Sequence, residues 1–155
     1  MKNILLPIDF SCDVQQAVDF VINFVPKPYK LVFVNAYVCE LDGVFKEFEY
    51  HISDDQLHLI LATVSTDFQD KLSKMEIIKK KYSILCSVET KILFAKGMGV
   101  REAVSHYLKE QKFDMMVIGS KNPSSFFGYI FKSFAADMLS ESKVPTTIIH
   151  HINHS

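Results

Sequence analysis

The chain has 155 residues, of which 48% are hydrophobic and 23% charged, and this is the size and balance of one folded domain that buries a core without metals or disulfides. A formal net charge of -1 gives no electrostatic drive toward DNA, RNA or an anionic membrane, so neither nucleic acid nor membrane is expected as a partner. Cys12, Cys39 and Cys86 are odd in number and contain no C-x-x-C pair, no apolar run approaches the ~20 residues of a membrane span, and the N-terminal run is too short for a signal peptide; together these predict buried reduced thiols in a cytoplasmic protein.

Asn3 to Ile8 is an apolar run closed by Asp9, the mark of an inner strand. Pro7 belongs near its end, where a missing N–H donor is tolerated. Ser11 and Asp13 can cap the helix that follows, because Val14, Ala17, Val18, Val21, Ile22 and Val25 recur at helical spacing until Pro26. Leu31 to Tyr37 is a second apolar strand, interrupted only by Asn35. Cys39 to His51 shows neither period and contains Gly43, which predicts a surface excursion.

Ser53 and Gln56 form a capping box for one long helix with core positions Leu57, Ile60, Leu61, Val64, Phe68, Leu72, Met75 and Ile78. It ends at Lys79-Lys80-Lys81, where cations suit the negative pole of the helix dipole. Ile84, Cys86, Val88, Thr90, Ile92 and Phe94 alternate with Ser87, Glu89 and Lys91, which predicts a third strand with one wet face at a sheet edge. Gly97 and Gly99 mark a turn into a short helix carrying Val100, Ala103, Val104, Tyr107 and Leu108.

Met115 to Ile118 is a fully apolar strand that stops at Gly119 and passes into Ser120-Lys121-Asn122-Pro123-Ser124-Ser125. Ile130, Phe131, Phe134, Ala135, Met138 and Leu139 then lay an apolar stripe along a last helix, which Val144-Pro145 ends before a fifth strand from Thr146 to Ile149. Strands alternating with helices in this way predict a doubly wound, mostly parallel α/β sheet with helices on both faces, as a single domain over residues 1–155. Such sheets take ligands at the carboxyl ends of their strands, where the winding reverses. The strand, small-residue turn and helix start around Gly119 make an anion cradle, since unpaired N–H groups and the helix dipole point the same way.

Four segments in order, Ile4-Leu5-Leu6-Pro7-Ile8-Asp9-Phe10-Ser11, Glu102-x-Val104, Phe113 to Ser120 and Lys143-Val144-Pro145-Thr146-Thr147-Ile148-Ile149, resemble the universal stress protein family across essentially the whole chain. The resemblance implies an adenine nucleotide alpha hydrolase-like sheet of five parallel strands ordered 3-2-1-4-5, with Asp9 and Gly119 facing each other across the switch point. It also implies a homodimer through the last strand, Pro145 to His150. Pro7, Asp9 and Ala36 occupy positions that contact adenosine in that family, and a glycine pattern, G-x2-G-x9-G-S/T, wraps the phosphates of ATP.

Gly119 matches the first position of that pattern and Ser133 the last, with Ile118 and Phe134 flanking them, while Asn122 and Lys132 stand where the two middle glycines would be. Asn tolerates the left-handed backbone region; for Lys that geometry costs roughly 1 to 2 kcal/mol, about tenfold in affinity. The Lys132 side chain either clashes with a phosphate or neutralises one. Phe126-Phe127-Gly128-Tyr129-Ile130-Phe131 is aromatic where a phosphate loop is expected to be small and polar. Helix packing explains the rings at stripe spacing; the others are expected to fill part of the pocket or to form a contact patch.

Each residue also has a plainer account. Asp9 suits a turn or helix cap, and Ser133 suits the first turn of a helix, because no histidine and acid lie at triad positions. His150, His151 and His154 read as a solvated tail, and His51, His58 and His106 are isolated, so no metal site is expected. The expectation is a cytoplasmic, homodimeric stress-family regulator without robust catalysis, with an unidentified protein partner, that binds ATP weakly or not at all. Magnesium would enter only with ATP, through Asp9 and Ser133. A competent ATP-binding switch is the first alternative. A slow nucleotide hydrolase or transferase is the second, since fold does not imply function.

Overall fold

The apolar runs become β1 (Lys2–Pro7), β2 (Tyr29–Tyr37), β3 (Ser87–Phe94), β4 (Met115–Ser120) and β5 (Thr146–His150). They lie in one sheet, ordered β3-β2-β1-β4-β5, and every junction is parallel. This is the order the resemblance implies. The computed structural model describes residues 1–10, 14–39, 51–120 and 144–150, with the backbone alone at 120 and 150. Four helices are described: α1 (Gln15–Phe24), α2 (Asp54–Val64), α3 (Thr66–Tyr82) and α4 (Val100–Glu110).

The strands alternate side chains between two apolar layers, as a parallel sheet covered on both faces requires. On one face Leu5, Val34, Met116 and Ile118 pack against Val104, Tyr107 and Leu108 of α4. On the other, Ile4, Leu6, Phe33 and Val117 pack against Val18 and Val21 of α1 and Met75 and Tyr82 of α3. Each aliphatic side chain fully withdrawn from water in this way contributes about 1.5–3 kcal/mol. β3 lies at an edge and alternates as expected, with Ser87, Glu89 and Lys91 exposed. It begins later than the alternation predicts: Ile84 and Leu85 are 87% and 47% exposed, in the turn that the Leu85 and Cys86 N–H groups close on the Tyr82 carbonyl.

The long helix predicted from Ser53 is two helices. The capping box at Ser53 and Gln56 is present, but Ser65 takes an extended conformation (φ -106, ψ 113). Its hydroxyl accepts the Phe68 N–H at 3.2 Å and so caps α3. Serine favours caps over helix interiors because its side chain satisfies an end donor there. The bend takes Ile60 and Val64 out of the predicted core, leaving them 42% and 70% exposed, while Leu57, Leu61 and Phe68 stay buried against Tyr37. Ile22 of α1 is likewise exposed rather than core.

α1 starts after Val14 with no side-chain cap bond, and Ser11 and Asp13, the expected caps, lie outside the described residues. So do Cys12, the excursion over 40–50 and the last predicted helix. Cys39 and Cys86 are half-buried rather than buried. Among the described residues no helix is long and apolar enough to cross a membrane.

Candidate functional site at the β1 and β4 strand ends

β1 pairs with β2 from Lys2↔Tyr29 to Pro7↔Val34, whereas its ladder with β4 covers only Ile4↔Met115 and Leu5↔Met116. At the start of the strands Asp114 ties the two together: the Asn3 N–H donates to its carboxylate at 2.7 Å and its own N–H donates to the Asn3 carbonyl at 2.8 Å. Beyond Leu5 the strands part. β4 continues in register with β5 to Ser120↔His150, and β1 continues with β2. The β1–β4 ladder thus stops short of the carboxyl ends, where sheet order reverses and where parallel sheets take ligands in a crevice.

The β1 lip consists of Pro7, Ile8, Asp9 and Phe10. Pro7 is the last residue of β1, as its missing donor requires. The Ile8 N–H donates to the Val34 carbonyl at 2.8 Å, and the Asn35 side-chain amide donates to the Ile8 carbonyl at 2.8 Å. Asn35 is 3% exposed, and its Oδ1 has no hydrogen-bond partner among the described residues. An orphaned buried acceptor costs about 1–3 kcal/mol. Asp9 is half-buried, and directly after it Phe10 has φ 66, the left-handed region, at a cost of roughly 1–2 kcal/mol for a non-glycine residue.

Among the predicted site residues, Pro7 ends β1 and Asp9 follows two residues later, Ala36 lies near the end of β2, and Ile118 and Gly119 lie near the end of β4. β2, β1 and β4 are neighbours in the sheet, so these strand ends lie side by side. Ile118 is 1% exposed and packed in the core, so only its backbone is available to a ligand. Gly119 has no left-handed φ, and among the described residues an added Cβ there would meet nothing within 4 Å. Asn122, Lys132, Ser133 and Phe134, expected at the phosphate end, lie outside the described residues, as do the Phe126–Phe131 aromatics, His151 and His154.

Sequence reasoning passed over two features. Asn35 had a legible signal, a lone amide inside a wholly apolar run. The left-handed turn at Phe10 had none, because that position ordinarily selects Gly, Asn or Asp.

The titration shifts of this fold belong to packed groups. The phenols of Tyr29 and Tyr107 are pushed up by burial first, then by Cys86 and Glu89 respectively. Burial is also the leading cause for Tyr37 and for the Cys86 thiol, which Lys27 partly offsets. Among the described residues no three His, Cys, Asp or Glu side chains gather as a metal site.

A family model described as the universal stress protein family matches residues 1–150. No curated protein matches the chain. Several solved structures resemble it along nearly their full length. Hypothetical protein MJ0577 is 19% identical with a TM-score of 0.63, over 98% of this chain and 97% of that one. A universal stress protein family protein from Arabidopsis thaliana with AMP bound is 12% identical with a TM-score of 0.57, over 98% and 93%. A universal stress protein in complex with cAMP is 17% identical with a TM-score of 0.51, over 96% of each chain. At these identities the likeness establishes the fold.

Proposed function

The chain belongs to the universal stress protein family, and on that footing we propose that it is a cytoplasmic, homodimeric, single-domain regulator that binds adenine nucleotide weakly and has no robust catalytic activity. The observation that carries this reading is the parting of β1 and β4 after Leu5↔Met116, with Asp9 on one lip and Gly119 on the other. Pro7, Asp9 and Ala36 would hold the adenosine, the Ile118–Gly119 backbone would meet the first phosphate, and Asn122, Lys132, Ser133 and Phe134 would border the rest. Lys132 in place of glycine weakens the grip on a triphosphate by about tenfold.

Two of the similar proteins support occupancy by monophosphates, one with AMP bound and one in complex with cAMP. A single phosphate needs less of the glycine pattern than three do. AMP therefore tolerates the substitutions at Asn122 and Lys132 better than ATP, which would bring magnesium to Asp9 and Ser133. Hydrolysis calls for a positioned base and a clamp around the transferring phosphate. The sequence at that end has Lys132 and Ser133 without a histidine and acid at triad spacing, which favours a regulator over an enzyme.

β5 supports the dimer, being an edge strand whose Thr146, Thr147, Ile148 and Ile149 are β-branched and half-buried. An unidentified protein partner would then read the occupied or empty dimer.

Calorimetric titration with AMP and with ATP plus magnesium tests the proposal. AMP is expected to bind with a Kd on the order of 0.1 mM and ATP no more tightly. Asp9→Ala should abolish the heat of binding. Nucleotide retained at one per chain through purification, or no heat at millimolar AMP, would overturn it. Sedimentation tests the dimer independently.

A further inference from the structure

On the sheet face away from α4, a cavity of about 260 Å³ lies between α3 and the residues Phe10 and Val14. Lys74, Ile77, Ile78, Lys81 and Tyr82 form one wall, at the three- and four-residue spacing that aligns side chains along one helix face. Phe10 and Val14 form the other. The walls are chiefly apolar, and among the described residues the lining contains two ammonium groups and no acid. Tyr82 makes a firm floor, since its ring stacks on Phe33 at 5.7 Å and its hydroxyl donates to Gln15 Oε1 at 3.0 Å.

The two lysines differ. Lys74 Nζ lies 3.0 Å from Asp70 and 5.8 Å from the Phe10 ring centroid. Lys81 Nζ lies 5.3 Å from the Tyr82 ring centroid, and no carboxylate of the described residues pairs with it. An unpaired cation at the rim of an apolar cavity selects a ligand with an apolar body and an anionic end, because the body gains by leaving water and the charge gains a partner with most of its solvation intact. Ile77, 65% exposed, is the apolar group such a body would cover.

We propose that this cavity is a binding site for a small amphipathic carboxylate, an aromatic or branched aliphatic acid. The body lies against Ile77, Ile78, Tyr82 and Phe10, and the carboxylate pairs with Lys81. Lys74, engaged with Asp70, lines the other end. The cavity takes one ring or one short chain, which favours a small molecule over the several anchors a docked helix would bring. This site is distinct from the strand-end crevice and does not depend on nucleotide binding.

The test is a titration with phenylpropionate, followed by the methyl resonances of Ile77 and Ile78, with phenylpropanol as the uncharged control. Saturable shifts of both methyl groups are expected, with the acid binding more tightly than the alcohol. Lys81→Met should weaken the acid roughly five- to tenfold and leave the alcohol unchanged. Ile77→Asp, at an exposed position that folding does not need, should abolish acid binding by repulsion. Asp9→Ala should leave it intact, which separates this site from the nucleotide crevice. Absence of saturable shifts, equal binding of acid and alcohol, or an unaltered Lys81→Met would overturn the proposal.

Discussion

The Asn35 side chain reaches the Ile8 carbonyl at 2.8 Å and so holds β1 to β2 one residue past their last backbone pair, Pro7↔Val34. That bond anchors the β1 lip at the point where β1 has already left β4. Asn35→Ala removes the donor and leaves a carbonyl unsatisfied beside a buried site, which should destabilise the chain by about 1–3 kcal/mol. Urea unfolding should show a lower midpoint with an unchanged m-value. The Asn35→Asp variant, which also lacks the donor, should fare no better.

Phe10 turns the chain out of β1 with φ 66. Phe10→Ala and Phe10→Gly both lose the ring, but only glycine enters that region without strain. The glycine variant should therefore be more stable than the alanine variant by about 1 kcal/mol, the reverse of their usual order in regular structure. Paired thermal melts of the two variants check this.

The strands and the sheet were largely legible because Ile4 to Leu6, Leu31 to Val34 and Met116 to Ile118 are buried on both faces, and such burial writes an unbroken apolar run. Their spatial order was not in the periodicity; it came from the resemblance, as did the placing of Asp9 and Gly119 on adjacent strands. The break at Ser65 was hidden because Leu61, Val64 and Phe68 keep helical spacing across it, so the pattern of apolar residues continued where the backbone did not. Local capping chemistry prevailed there over the longer stripe. At the site, Asn35 and Phe10 show what one-dimensional reading loses: a hydrogen bond between residues 27 apart and a backbone angle that the side chain does not announce.

Ser65 joins two helices through one hydroxyl. Ser65→Ala should destabilise the chain by about 1 kcal/mol, while Ser65→Asp, which keeps an acceptor at the positive pole of α3, should retain most of the stability. Thermal unfolding of both variants against the native chain measures the difference.

The raised phenols and thiol set an alkaline limit. A group whose folded pKa lies above its unfolded value keeps the folded state proton-rich, so its contribution is complete below the unfolded pKa and is lost as pH rises beyond it. The unfolded values are 9.0 for Cys86 and 10.0 for Tyr29, Tyr37 and Tyr107, so stability should fall as pH climbs past these values, with no counterpart loss from these groups near neutrality. Tyrosinate absorbance followed alongside circular dichroism should show these phenols ionising together with unfolding.

Asn122 and Lys132 stand at the glycine positions of the family's phosphate pattern. Replacing both with glycine should raise ATP affinity about tenfold while changing AMP affinity little. Calorimetry showing no gain for ATP would count against their role at the phosphate end.

The most direct test of the crevice is a titration of the isotope-labelled chain with AMP, following backbone amides by nuclear magnetic resonance. Saturable shifts should concentrate at Asp9, Ala36 and Gly119, on the three strand ends, and should disappear in Asp9→Ala. Shifts confined to surfaces away from those ends, or none at millimolar AMP, would contradict the account.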